Sequence, residues 1–235
     1  MTATSDQIRA YFDTDAYVRR NPIISVRAQL LSELLRATRD SRIIDLGCGD
    51  GTLTRPLLRD GNRLTLVDFS PSMLDRARTH FPSDAPVEFV EADVLSYHSP
   101  EPADVVVCIG VLAHVSSPEA LIAQIAGLMR PNGICVLEIT DRSSPMGWLL
   151  TQKGRLGHRA GWATNSLSRS ELVQIARVHR LAELPSTLRR YGLLVPASRW
   201  LPYETAVRIE GGAARRPRLA GMAAQILLGF RLLAD

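Results

Sequence analysis

Lysine is almost absent from this 235-residue chain: Lys153 is the single lysine among 28 basic residues, and the rest are arginines. The arginines are scattered, so the net charge of +4 reflects compositional bias more than a nucleic-acid footprint. Cysteine is scarce too. Cys48, Cys108 and Cys135 are odd in number and form no C-x-x-C pair, which argues against a disulfide framework and a structural zinc site. A reducing, cytoplasmic setting is expected. No run approaches the ~18 apolar residues of a membrane span, and the first nine residues hold no signal-peptide-like apolar stretch. Repeats and low-complexity segments are missing. What remains is an ordinary globular mixture, 46% hydrophobic and 22% charged, long enough for a sizeable core.

Ser5 can cap a first helix over residues 5–17. Asn21 and Pro22 suit the N-cap and first position of a second helix, in which Ile23, Val26, Leu30, Leu31, Leu34 and Leu35 recur at helical spacing. From Arg42 the pattern changes. Short apolar runs predict strands over residues 43–46, 63–68, 87–90, 104–110 and 134–139. Helices are expected from Gly51 to about Arg59, from Ser70-Pro71 to about His80, and from Ser117-Pro118 to Pro131-Asn132-Gly133. Such alternation implies βαβ units, a parallel sheet and right-handed crossovers. Residues 140–167 break the rhythm with Pro145, four glycines and two tryptophans. They suit a lid beside the carboxyl ends of the strands, or a surface insertion. Ser168-Arg169-Ser170-Glu171 is a capping box for a helix to about His179, and residues 183–191 can be a strand. In the apolar tail, a strand over residues 225–230 is favoured over a packed or membrane-surface helix. The run Arg215-Arg216-Pro217-Arg218 before it suits a solvated loop better than an anionic-membrane contact.

Gly47, Gly49 and Gly51 follow the first strand, where glycines permit tight turns and close backbone approach to a ligand. Asp68 ends the second strand, where a carboxylate can accept both ribose hydroxyls of a nucleoside; capping the next helix is its plainer role. A dinucleotide loop wants G-x-G-x-x-G/A, but the third small position here is Thr52. Asp45 and Asp50 bracket the loop and would repel a pyrophosphate. They suit a ligand with an ammonium group and a sulfonium, as in S-adenosyl-L-methionine (SAM).

Residues 43–51, Ile-Ile-Asp-Leu-Gly-Cys-Gly-Asp-Gly, resemble motif I of class I SAM-dependent methyltransferases. Val67-Asp68-Phe69-Ser70-Pro71-Ser72-Met73-Leu74 resembles that family's second-strand end, and Glu91-Ala92-Asp93-Val94 its adenine-binding acid motif. Residues 104–115 and 128–140 are similar to its fourth and fifth strands. Phe12-Asp13 with Ala16-Tyr17 resembles the ubiquinone/menaquinone-biosynthesis-like branch. The resemblance covers about residues 5–140. It implies that Asp45 and the Gly47-Cys48-Gly49 backbone hold the methionine part and Asp68 the ribose. Phe69 and Met73 would flank the adenine, Asp93 accept its amine and Val94 donate an N–H to it. Ile109 and Gly110 would line the sulfonium, and Tyr17 would touch the carboxylate. A seventh strand, antiparallel, is also implied. Met73 as plain core and Asp93 as a turn residue are the structural alternatives.

Methyl transfer is an in-line displacement whose leaving group the cofactor carries, so no metal is expected. Alignment is the main task and can supply ~7–11 kcal/mol. A phenol, alcohol or amine acceptor can need a base. His114 and Tyr11 are the catalytic candidates, with His158 behind them; Asp141 could orient an acceptor. Strand four ends Cys108-Ile109-Gly110-Val111, not the Asn/Asp-Pro-Pro-Tyr of amino-methylating enzymes acting on nucleic acid and glutamine, so no nucleic-acid partner is expected. Trp148, Trp162, Tyr191, Trp200 and Tyr203 suggest a flat or apolar acceptor, or simply pack the cap.

The expected architecture is one doubly wound, Rossmann-like α/β domain over residues 1–235 with a seven-stranded, mostly parallel sheet. Residues 1–40 would be N-terminal cap helices and 41–140 the SAM-binding core. Residues 141–167 would be the lid, and 168–235 the rest of the sheet with a substrate cap. The expected function is methylation of an O, N or C atom of a small molecule by a cytoplasmic monomer or homodimer. A cyclase or lyase of the same fold and a non-catalytic SAM-binding protein are the rivals.

Overall fold

The computed structural model describes residues 22–156, 165–193 and 200–234. Helix α1 (Pro22–Leu34) leads into β1 (Arg42–Leu46), β2 (Arg63–Asp68), α2 (Pro71–His80), β3 (Val87–Glu91) and β4 (Ala103–Cys108). Then come α3 (Pro118–Leu128), β5 (Met129–Thr140), α4 (Pro145–Leu156), α5 (Arg169–Val178) and β6 (Leu181–Tyr191). Helices α6 (Tyr203–Ala214) and α7 (Pro217–Ala220) precede β7 (Gln225–Leu232). The strands make one sheet in the order β3-β2-β1-β4-β5-β7-β6. The first five strands pair in parallel, and β7 runs antiparallel between β5 and β6. The strand order reverses between β1 and β4, the switch point outside whose carboxyl ends ligands bind in such sheets.

Alternation within strands divides the core between the two faces of the sheet. Ile44, Val106 and Leu137 join α3 and α5 on one face. Ile43, Val105, Val107 and Val136 join α1 and α2 on the other. Burying a leucine such as Leu31 completely contributes about 1.5–3 kcal/mol. In β7, Ile226, Leu227, Leu228 and Phe230 are all buried. A strand inserted between two others and covered on both faces has no polar side, so its sequence does not alternate.

Three expectations need correction. The helix after Gly51 is a run of turns with a single 3-10 turn at Arg55–Leu57. Pro56 cannot continue an α-helix without clashing with the preceding turn, and Asp60 and Gly61 reverse the chain at φ 51° and 75°. Helix α3 ends at Leu128, before Pro131-Asn132-Gly133. Those residues form an irregular corner inside β5, where Ala103 pairs with Met129 but Val105 with Ile134, and Asn132 sits at φ 64°. Finally, the segment after residue 140 is not all loop. Pro145 opens α4, and the Ser144 hydroxyl accepts a 3.0 Å bond from Gly147 N. Proline there is a first-turn residue rather than a breaker. The arginine-rich run 215–218 is exposed, as expected of a solvated segment; it links α6 to α7, whose first residues are Pro217 and Arg218, and Arg215 pairs with Glu33 at 3.1 Å.

Candidate functional site

The chain after β1 turns through three glycines in the left-handed region, Gly47, Gly49 and Gly51, at φ 73°, 54° and 71°. A side chain at Gly47 would strike Val111, 2.3 Å away, so the loop after β1 and the end of β4 sit close only because of glycine. At Gly49 a Cβ would meet nothing within 4 Å among the described residues. Its outward side is open, as a loop that must lie against a ligand requires.

Two carboxylates hold this loop. Asp68 is 6% exposed. Its Oδ2 accepts from Gly49 N at 2.8 Å and its Oδ1 from Ser70 N at 3.0 Å. Ser70, not Asp68, caps α2, accepting from Met73 N, and Asp68 holds the backbone of that cap. Asp45 is buried and accepts the Thr54 hydroxyl at 2.7 Å. Burial pushes its pKa up to about 7; the Thr54 bond opposes this and Asp68 adds to it. Cys48 between them is a buried thiol, its pKa raised by burial and by Asp45 and Asp68, and so poorly disposed to act as a nucleophile. Asp50 accepts from Thr52 N at 3.0 Å.

Around this centre the other expected residues fall at neighbouring strand ends. Phe69 is half-buried and Met73 buried. Asp93 is exposed beyond β3, its Oδ1 accepting from Leu95 N at 2.8 Å, and Val94 beside it is buried. Ile109 is buried, and Gly110 turns the chain after β4 at φ 78°. His114 follows in a turn closed by His114 N donating to Val111 O at 2.8 Å. Desolvation lowers its pKa, favouring the neutral imidazole that a base requires. Asn165 clamps that turn: its N donates to Ala113 O, and its amide to Leu112 O and Val115 O at 3.2 and 2.6 Å. Tyr11, Tyr17, His158 and Trp162 lie outside the described residues.

Asp141 is structural rather than acceptor-facing. It is fully buried, pairs with Arg190 at 2.9 Å, and accepts from Ser143 N and Oγ. Among the described residues the aromatic set does not gather into a lining. Trp148 and Trp200 are 58% and 72% exposed, whereas Tyr203 bonds to Ser25 and Tyr191 is buried.

Sequence reasoning missed a polar cluster beside Gly110. Glu138 Oε1, at the end of β5, accepts from Arg27 Nη2 at 2.7 Å and from Tyr191 OH at 2.5 Å. Arg27 Nε also donates to Tyr191 OH at 2.9 Å, and Gln225 lies 3.5 Å from the guanidinium. Only the polarity of Glu138 within an otherwise apolar strand run offered a signal.

The class these features define is a doubly wound α/β protein with a glycine loop and two buried carboxylates at its switch point. Residues 44–135 match the model of the family described as a methyltransferase domain. The mitochondrial ubiquinone biosynthesis O-methyltransferase of Schizosaccharomyces pombe is 31% identical over 126 residues, 51% of this chain and 46% of that protein. The chain spans about half, or less, of the length of the curated relatives it matches. Magnesium protoporphyrin IX methyltransferase of Synechocystis PCC 6803, solved with SAH, aligns at a TM-score of 0.64 and 16% identity over 95% of this chain and 97% of that one. The [4+2]-cyclase SpnF aligns at 0.59 and 17% identity over 88% of this chain and 80% of its own. At such identities the likeness is one of fold.

Proposed function

We propose that this protein transfers the methyl group of SAM to an O, N or C atom of a small molecule. The observation that carries the reading is the pairing of Asp45 and Asp68 around a glycine loop whose outward side is open at Gly49. The site offers carboxylates where a pyrophosphate would need cations, which suits a nucleoside bearing an ammonium and a sulfonium. When bound, SAM supplies an activated methyl group with its own leaving group. Asp45 and the Gly47-Cys48-Gly49 backbone would bind its methionine part, Asp68 the ribose, and Phe69, Met73, Asp93 and Val94 the adenine. Ile109 and Gly110 would line the sulfonium, with Tyr17 at the carboxylate. His114, held in its turn by backbone bonds, is the first candidate to take an acceptor proton, and Tyr11 the second.

Among the described residues no helix is long and apolar enough to cross a membrane and no acid, histidine and cysteine cluster could hold a metal. The enzyme is proposed to act in the cytoplasm, as a monomer or homodimer, on a small-molecule acceptor. The SpnF likeness supplies a second reading: the fold also serves a cyclase.

Titration of SAM and SAH by calorimetry tests the cofactor, with Asp68→Asn as the variant. The asparagine keeps an acceptor for one backbone N–H but loses the charge. SAH affinity should fall about 10- to 100-fold, the worth of a hydrogen bond to a charged group. Equal binding by wild type and variant would overturn the ribose assignment, and no binding of either nucleoside would overturn the methyltransferase reading. Labelled methyl appearing in product distinguishes a transferase from a cyclase, which returns the label on intact SAM.

A further inference from the structure

Both donors to Glu138 converge on Oε1, while Oε2 is buried without a hydrogen-bond partner among the described residues. Glu138 is only 4% exposed. A buried carboxylate oxygen left unsatisfied is costly, and native structures seldom keep one without a use. Its position suggests the use. Among the described residues, a Cβ built on Gly110 would have two atoms within 4 Å, Glu138 Oε2 at 3.9 Å and Arg27 Nη1 at 3.8 Å. By lacking a side chain, Gly110 thus leaves among the described residues a small gap of about methyl size, at the end of β4 and next to the switch point, within contact of a carboxylate oxygen and a guanidinium nitrogen.

Resting on the methyltransferase reading above, we propose that Glu138 Oε2 is an acceptor-binding subsite for a neutral hydrogen-bond donor, a hydroxyl or a heteroaromatic N–H, on the molecule to be methylated. Charge selects the donor. Arg27 and Glu138 form a close ion pair at 2.7 Å, so the subsite has no net charge to attract an ammonium, and Arg27 Nη1 borders the same gap and repels one. A neutral O–H or N–H satisfies Oε2 without adding a buried charge. Arg27 is the positioning residue, since its ion pair fixes the carboxylate through Oε1; Tyr191 adds a second bond to the same oxygen and leaves Oε2 untouched.

The test uses SAH-saturated protein and ligand-observed NMR. The probes are phenols, catechols and N–H heteroaromatics, each paired with its O- or N-methylated counterpart, together with benzylammonium. Donor-bearing members should bind at least about tenfold better than their methylated partners, because a site built for a donor rejects an analogue lacking it; benzylammonium should be as weak as the methylated set. In Glu138→Gln the preference should vanish while SAH affinity stays within about threefold. In Tyr191→Phe, which leaves Oε2 in place, it should persist. Should Glu138→Gln not fold, the double variant Arg27→Met with Glu138→Met removes both charges at similar volume and carries the same expectation. Indifference of the wild type to methylation of the probes, a preference retained without Glu138, or equal loss in Tyr191→Phe would each overturn the subsite. Wild-type SAH binding, measured first, separates the failures: its absence counts against the methyltransferase reading, whereas its presence with indifferent probes counts against the subsite alone.

Discussion

Along the carboxyl edge of the sheet, the β1-β2 side and the β5-β7-β6 side hold their charged groups by different means. On the first side, Asp68 and Gly49 are 19 residues apart and the carboxylates are fixed mainly by backbone N–H groups and one threonine. On the second, Arg27 meets Glu138 across 111 residues and Tyr191 across 164, and side chains hold one another. A local motif can be carried intact between proteins, because everything it needs is within reach of two strands. A long-range cluster depends on how the whole sheet and α1 assemble. The family match over residues 44–135 takes in Asp45, Gly49 and Asp68 and stops just short of Glu138.

That contrast can be broken most forcefully at Arg27. Arg27→Ala leaves Glu138 buried without its cation and should cost about 3–5 kcal/mol in urea unfolding, with SAH affinity little changed. A cost below about 1 kcal/mol, the range of a surface pair, would mean that the second side is no more tightly interlocked than the first.

Asp45 sharpens the comparison by pH. Its raised pKa means that the folded protein binds more protons than the unfolded chain between 3.8 and about 7. Its contribution to stability is therefore fully present below 3.8 and is lost as pH rises through about 7. Affinity for a ligand bearing an ammonium should move the opposite way, strengthening as the carboxylate ionises. Urea midpoints and SAH titrations across that range, compared with Asp45→Asn, check both; identical pH profiles in wild type and variant would remove Asp45 from the ligand's methionine end.

The smallest effect belongs to a position on neither side. Ser168→Ala removes the capping box of α5, in which Ser168 N donates to Glu171 Oε2 at 2.8 Å and the Ser168 hydroxyl accepts from Glu171 N. About 1 kcal/mol of stability should be lost with SAH binding unaltered, a baseline against which the Arg27 and Asp45 variants are judged.

Much of the fold could be anticipated because its signals are short-ranged. Strand alternation in β1 and β2, the Ser70-Pro71 and Ser117-Pro118 helix starts and the Ser168 box each act within a few residues, and each marks its element where expected. The errors arose where one residue type has two meanings. Pro145 opens a helix, whereas Pro56 prevents one, and only the neighbours Ser144 and Thr54 show which applies.

The sequence by itself determined the glycine loop, the acids Asp45 and Asp68, and the α/β alternation, since backbone geometry and hydrogen bonding over one or two turns suffice to specify them. Tertiary structure alone decided that Arg27, Glu138 and Tyr191 share one carboxylate oxygen and leave the other facing Gly110. Periodicity carries no information about which strand ends become neighbours; that follows from burying both faces of the sheet and slotting β7 between β5 and β6.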